Sequence, residues 1–129
     1  MSLPQPAASA RADAIQTLGR HFPEDVRLAY ERFAASRVPA DADVVVLAIM
    51  LDHLPDKKLR PAGAPADNLA LVADLGYDSV AITEMVFFLE DLFQVRISNE
   101  EILRVRTVGD LRAFVRQKLT AQPPAGSRA

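Results

Sequence analysis

The chain has no cysteine, and that absence excludes disulfides, thiolate metal sites and a cysteine nucleophile together, as fits a reducing compartment. Long apolar runs are missing as well: nothing approaches the roughly 20 residues that a membrane-spanning helix needs. The first residues lack a basic region followed by an apolar one, so a cytoplasmic protein is expected. Only two histidines, His21 and His53, are present, a poor basis for a metal site, and none is expected. From Asp74 to Asp91 there is no lysine or arginine. That stretch carries Asp74, Asp78, Glu84, Glu90 and Asp91, which would repel nucleic-acid phosphates and favour a basic protein partner, although from charge alone a solvated helix face is the simpler account. There is no internal repeat, and no segment demands a β-strand.

What is present is enough for one core: 129 residues, of which 50% are apolar. Proline-containing stretches punctuate the chain. Residues 1–9 and 121–129 read as tails, and Pro55 to Pro65, with Lys57, Lys58, Arg60 and Gly63, reads as a surface loop. Between these breaks the apolar spacing is helical. Ala10 to His21 puts Ala14, Ile15 and Leu18 on one side. Pro23, Glu24 and Asp25 open a second helix, since proline suits the first turn and acids suit the positive end of the dipole. Val26, Ala29, Tyr30 and Phe33 line it until Pro39. Asp41 to Leu54 carries a stripe of Val44, Leu47, Met50, Leu51 and Leu54. Ser79 to Phe93 follows, then a short turn over Asn99 to Arg104. Val108 to Leu119 closes with Val108, Leu111, Val115 and Leu119 inward.

At about 100° per residue, the Ser79–Phe93 helix separates two faces. Ile82, Met85, Val86, Leu89 and Phe93 share the side expected to face the core. Val80, Glu84, Phe87 and Asp91 fall opposite, a mixture of apolar and acidic residues suited to docking, although isolated exposed apolar residues are common. Leu75-Gly76 reads as a turn, Asp78 follows, and Ser79 stands where an N-cap is expected. A capping serine needs no further explanation. The same place nevertheless offers unpaired backbone N–H groups and the positive end of the dipole, so a phosphate ester on Ser79 would be stabilised there.

The run Asp74-Leu75-Gly76-Tyr77-Asp78-Ser79-Val80 resembles the acyl carrier protein motif, an Asp-Leu-Gly turn leading to an Asp-Ser-Leu attachment site. The likeness continues without a gap through Glu84, Glu90-Asp91, Phe93, Ile97, Asn99-Glu100-Glu101 and Thr107-Val108, and covers Asp41 to Leu119. The resemblance implies an all-α fold, a four-helix bundle carrying an additional helical N-terminal extension. It divides the chain into an extension at 1–40, a carrier domain at 41–120 and a tail at 121–129. It implies 4′-phosphopantetheine on Ser79, transferred from coenzyme A by a separate phosphopantetheinyl transferase that Asp78 helps to engage. The arm ends in the thiol that the chain itself lacks, and holds acyl groups as thioesters. Glu84, Glu90 and Asp91 would pair with basic patches on acyl-transferring or acyl-modifying enzymes, with Val80 and Phe87 in apolar contact. Ile82, Met85, Phe88, Leu89 and Phe93 would border the acyl cavity. Such a chain serves enzymes of fatty-acid, lipid or polyketide-type biosynthesis and is not itself a catalyst.

The chain departs from the family pattern at particular places. Ala81 and Leu92 stand where acids are common, Tyr77 and Phe88 are bulkier than usual, and Arg96, Arg104 and Arg106 make the following region more basic. Phe88 is expected to narrow the acyl cavity. The extension before Asp41 has no counterpart in housekeeping carriers. Its short amphipathic segments could pack on the bundle, bind a dedicated partner or mediate self-association; packing is the first expectation, because such helices are marginal alone. Three rival readings stand beside the carrier. Catalysis would require a base in reach of Ser79, and no motif supplies one; His53 is expected to interact with a helix C-terminus. A peptidyl carrier would use the same arm for an aminoacyl group. An unmodified helical interaction domain would keep the fold without the arm.

Overall fold

The computed structural model describes residues 6–121. The helices are α1 (Pro6–His21), α2 (Glu24–Ser36), α3 (Pro39–Asp52), α4 (Ser79–Phe93), α5 (Asn99–Ile102) and α6 (Val108–Ala121), with one 3₁₀ turn at Lys57–Leu59 between α3 and α4. The expected tail at 1–9 is shortened, because α1 begins at Pro6. The rest of that tail, and 122–129, lie outside the described residues. Among the described residues β-pairing is limited to one antiparallel bridge between Ala70 and Thr107.

Each helix boundary has a local cause. Glu24 and Asp25 occupy the first turn of α2, with Pro23 just outside as its N-cap. Arg37 ends α2 in the left-handed region at φ 60°, its N–H reaching the Phe33 carbonyl at 2.8 Å. Pro39 opens α3 at its first turn. Ser98 and Glu101 form a reciprocal capping box on α5. Thr107 and Asp110 bond each other's backbone at the start of α6.

The α1–α2 hairpin is part of the core. Ala14 and Leu18 from α1, Phe22 from the turn after it, and Val26, Ala29, Tyr30 and Phe33 from α2, share one buried cluster with α3, α4 and α6. α1 packs along α4, and α2 along α3. The hairpin therefore covers the flank of the bundle where α3 meets α4, as the amphipathic spacing led us to expect. The inward faces of α2 and α6 are those read from the sequence, down to each named residue.

Two faces differ from expectation. On α1, Ile15 is 39% exposed while Ala14 and Leu18 are buried. On α3 the buried stripe is Ala42, Val45, Val46, Ile49 and Met50; Val44 is 41% exposed, and Leu47 and Leu51 are half-buried. The cause is that α3 is apolar almost all round, and packing against α2, α4 and α6 decides which side is inward. α3 and α6 are also joined by charge. The buried Asp43 carboxylate accepts from Arg112 at 2.9 Å and from Arg116, while Arg112 reaches Asp67 at 2.7 Å. Burial raises the Asp43 pKa, but the two guanidiniums outweigh it and hold the carboxyl below its ordinary value.

Candidate functional site

The start of α4 is presented by a folded segment, Leu69 to Tyr77, stitched to the chain before α6. The Leu71 N–H donates to the Arg106 carbonyl at 2.9 Å, and the Val108 N–H donates to the Leu69 carbonyl at 3.0 Å. Asp74 tightens this segment by accepting from the Ala70 N–H at 2.7 Å. Leu71, Leu75 and Tyr77 are fully buried and anchor it from below. Gly76 sits at φ +74°, a left-handed conformation that favours glycine; a Cβ there would lie 2.8 Å from Leu59 Cδ1, the end of an exposed side chain that can move aside.

Tyr77 locks this segment to α3. Its hydroxyl donates to the Met50 carbonyl in the last turn of α3 and lies 3.5 Å from Met85 Sδ on α4. Burial, and secondarily the Asp52 charge, push the Tyr77 phenol well above its ordinary value, so it stays a donor. The open carbonyls at the end of α3 are accounted for one by one. Ile49 accepts from the His53 N–H and the His53 ring, Met50 from Tyr77, Leu51 from the Leu54 N–H, and Asp52 from Lys57. His53 thus interacts with a helix C-terminus as expected; among the described residues no hydrogen bond joins it to Ser79.

Asp78, not Ser79, caps α4. The Asp78 carboxylate accepts from the Ala81 N–H at 2.8 Å, and Ser79 is the first helical residue. This corrects the sequence reading, and the reason is chemical. Both side chains can cap, but aspartate one residue earlier accepts with a full charge and releases the serine from that role. Ser79 is exposed. Its hydroxyl stands at the positive end of a fifteen-residue helix, beside a groove of about 340 Å³ lined by Asp52, His53, Leu54, Pro55, Asp78, Val80, Ala81 and Glu84. An exposed hydroxyl free of capping, with room beside it, fits a phosphodiester-linked arm.

Along α4 the outer face holds Val80, 66% exposed, Glu84, and Phe87, 60% exposed; Asp91 on the same side is half-buried. Glu90 stands apart from this group. Its carboxylate accepts from the Ile97 N–H at 2.7 Å and holds the chain after α4, so the acid expected to meet a partner is engaged in the fold. Ile82 is half-buried, while Met85, Leu89 and Phe93 are buried. Phe88 stacks on Phe22 of the hairpin, ring centroids 6.2 Å apart, and lies 6.0 Å from His53. Leu92 is buried, and its carbonyl accepts from the Tyr30 hydroxyl at 3.2 Å. Ala81 is buried as well. The departures Ala81, Phe88 and Leu92 therefore share one stripe of α4 with Met85, and Phe88 and Leu92 meet the hairpin there. Spacing alone could have grouped them. Tyr77 carried a signal too, since a buried tyrosine hydroxyl needs a partner.

Comparison with known proteins finds relatives for this part of the chain. The family model described as a phosphopantetheine attachment site matches residues 58–115. The chain is similar to an acyl carrier protein of Chlamydia trachomatis, 32% identical over 73 residues, which cover 57% of this chain and 90% of that protein. An acyl carrier protein of Exiguobacterium is 46% identical over 46 residues, 36% of this chain and 58% of that protein. A meromycolate extension acyl carrier protein of Mycobacterium tuberculosis is 37% identical over 60 residues, 46% of this chain and 51% of that protein. The chain thus spans a little over half the length of these last two relatives. No solved structure matches the chain.

Proposed function

This chain belongs to the acyl carrier protein family, whose members bear 4′-phosphopantetheine covalently and are carriers, not catalysts; from that premise we infer that Ser79 carries the arm. The observation that supports this most is the division of labour at the start of α4: Asp78 caps the helix, and Ser79, next in line, is exposed. The arm supplies a thiol, which holds an acyl group as a thioester. The chain's own residues attach the arm, orient it and present it. Leu71, Leu75, Gly76 and Tyr77 hold the attachment turn rigid, so that Ser79 meets a phosphopantetheinyl transferase in one geometry.

Val80, Glu84, Phe87 and Asp91 form the docking face for the transferase and for acyl-transferring enzymes with basic patches. Exposed ion pairs are worth about 0–1 kcal/mol each, which suits a carrier that must dock and leave repeatedly. Residues 41–120 form the carrier unit, and within the 1–40 extension the α1–α2 hairpin braces α3 and α4. The cargo is an acyl group of fatty-acid, lipid or polyketide-type biosynthesis. The test is to load the chain from an acyl-coenzyme A with a broad-specificity transferase and then treat it with neutral hydroxylamine. A carrier loses the acyl mass and keeps the phosphopantetheine mass. Loss of neither after loading would show that the acyl group is not held as a thioester.

A further inference from the structure

We propose that the turn after α5 presents a second docking surface, cationic with one apolar anchor, for an acidic and apolar surface of a partner protein. It is separate from the acidic face of α4 and goes beyond the carrier reading of Ser79. Leu103 is 74% exposed, the most exposed large apolar side chain among the described residues. It is held out on ordered backbone. The N–H groups of Leu103, Arg104 and Val105 donate to the carbonyls of Asn99, Glu101 and Ile102 at 3.2, 3.1 and 3.0 Å. On the far side the Arg106 N–H donates to the Asp110 carboxylate at 3.1 Å, and the Arg106 carbonyl accepts from the Leu71 N–H. An anchor on a turn fixed in this way loses little freedom when it docks.

The fold engages the acids around this turn and leaves its arginines open. Glu101 pairs with Lys118 of α6 at 2.7 Å, and the Asp110 carboxylate accepts from the Arg106 and Thr107 N–H groups. Arg96, Arg104 and Arg106 are exposed, and among the described residues no ion pair engages their guanidiniums. Against these three cations stands Glu100. Arg104 also borders a groove of about 500 Å³ between this turn and α6, lined by Val105 and Phe114. An apolar side chain next to a carboxylate thus finds an apolar lining and a cation together. The sign of the surface selects the occupant. It would repel the basic patches that suit Glu84 and Asp91 on α4, and attract carboxylates. Residues 122–129 of the chain include Arg128 and no acidic side chain, so they do not complement it.

The experiment titrates two synthetic helical peptides into the isotope-labelled full chain and follows backbone amides by NMR. One peptide carries Glu and Leu along one face, and the other has Lys in place of each Glu. The Glu peptide should shift the amides of Leu103 to Arg106 and of Phe114, and leave those of Glu84 and Phe87 in place. The Lys peptide should do the reverse, and added salt should weaken both. Arg104→Glu should weaken the Glu peptide by about tenfold or more, and Leu103→Ser several-fold. Both side chains are exposed, and unchanged amides in the core confirm that each variant is folded. No shift with the Glu peptide, shifts confined to α4, or full affinity in Arg104→Glu would overturn the proposal. Shifts at the same residues that grow with protein concentration in the absence of peptide would make a second copy's α4 face the occupant, and would overturn it too. Arm loading is read separately by intact mass, and its failure would overturn the carrier reading of Ser79 and leave this surface standing.

Discussion

A single hydroxyl at Tyr77 connects the turn before Ser79 to the end of α3. Replacing it with phenylalanine keeps the ring in the core and leaves the Met50 carbonyl without its donor. Tyr77→Phe should therefore cost about 1–3 kcal/mol, the penalty of an unsatisfied buried acceptor, read as a lower urea midpoint with an unchanged slope. No change would mean that water reaches Met50. Asp43 offers a second test at this scale. Its partners Arg112 and Arg116 are partly exposed, so Asp43→Asn should cost about 1–2 kcal/mol, below the roughly 3–5 kcal/mol of breaking a fully buried pair. The folded carboxyl lies below its ordinary 3.8, so its contribution is complete above that pH and is lost as pH falls through the folded value. Acid titration of stability should be shallower in Asp43→Asn between pH 3.8 and the onset of acid unfolding. An identical titration would remove Asp43 from the account. Glu101, pulled down to about 2 by Lys118 first and Ser98 next, loses its contribution as pH falls from its ordinary 4.5 through that value, and remains titratable in that variant.

Among the elements, α1 has most to explain. It lies along α4, and together with α2 it accounts for the departures at Phe88 and Leu92. Leu92 contacts Tyr30 through its carbonyl and Phe88 stacks on Phe22, so acids on this stripe would be buried against the hairpin. Leu18 is 1% exposed in α1, and Leu18→Ala should cost about 2–5 kcal/mol. Because hairpin and bundle share one core, unfolding should remain a single transition, and amides of α4 should lose hydrogen-exchange protection along with those of α1. Loss of protection confined to α1 would show that the hairpin folds apart from the carrier unit.

For the whole molecule, the helix pattern was legible wherever one face was apolar and the other polar, as in α2 and α6. It was not legible in α3, where Val44, Val45 and Val46 are equally apolar and only the neighbouring helices choose between them. The attachment turn was legible as a run of residues. Its capping was not, because Asp78 and Ser79 compete for the same backbone donors and spacing cannot rank them. Glu90 shows the same limit: its charge was visible, but its bond to Ile97 depends on how the loop after α4 folds back. The docking face proposed above, Val80, Glu84, Phe87 and Asp91, predicts that Glu84→Lys slows transfer by the phosphopantetheinyl transferase several-fold at low salt, with the difference shrinking as salt rises. Equal rates at every salt concentration would place docking elsewhere.

The most direct measurement of the central claim is intact mass after incubation with coenzyme A, magnesium and a broad-specificity phosphopantetheinyl transferase, for the unsubstituted chain and for Ser79→Ala. The account predicts a gain of one phosphopantetheine on the former and none on the latter. A gain that survives Ser79→Ala, or no gain on folded, previously unmodified protein, would contradict it.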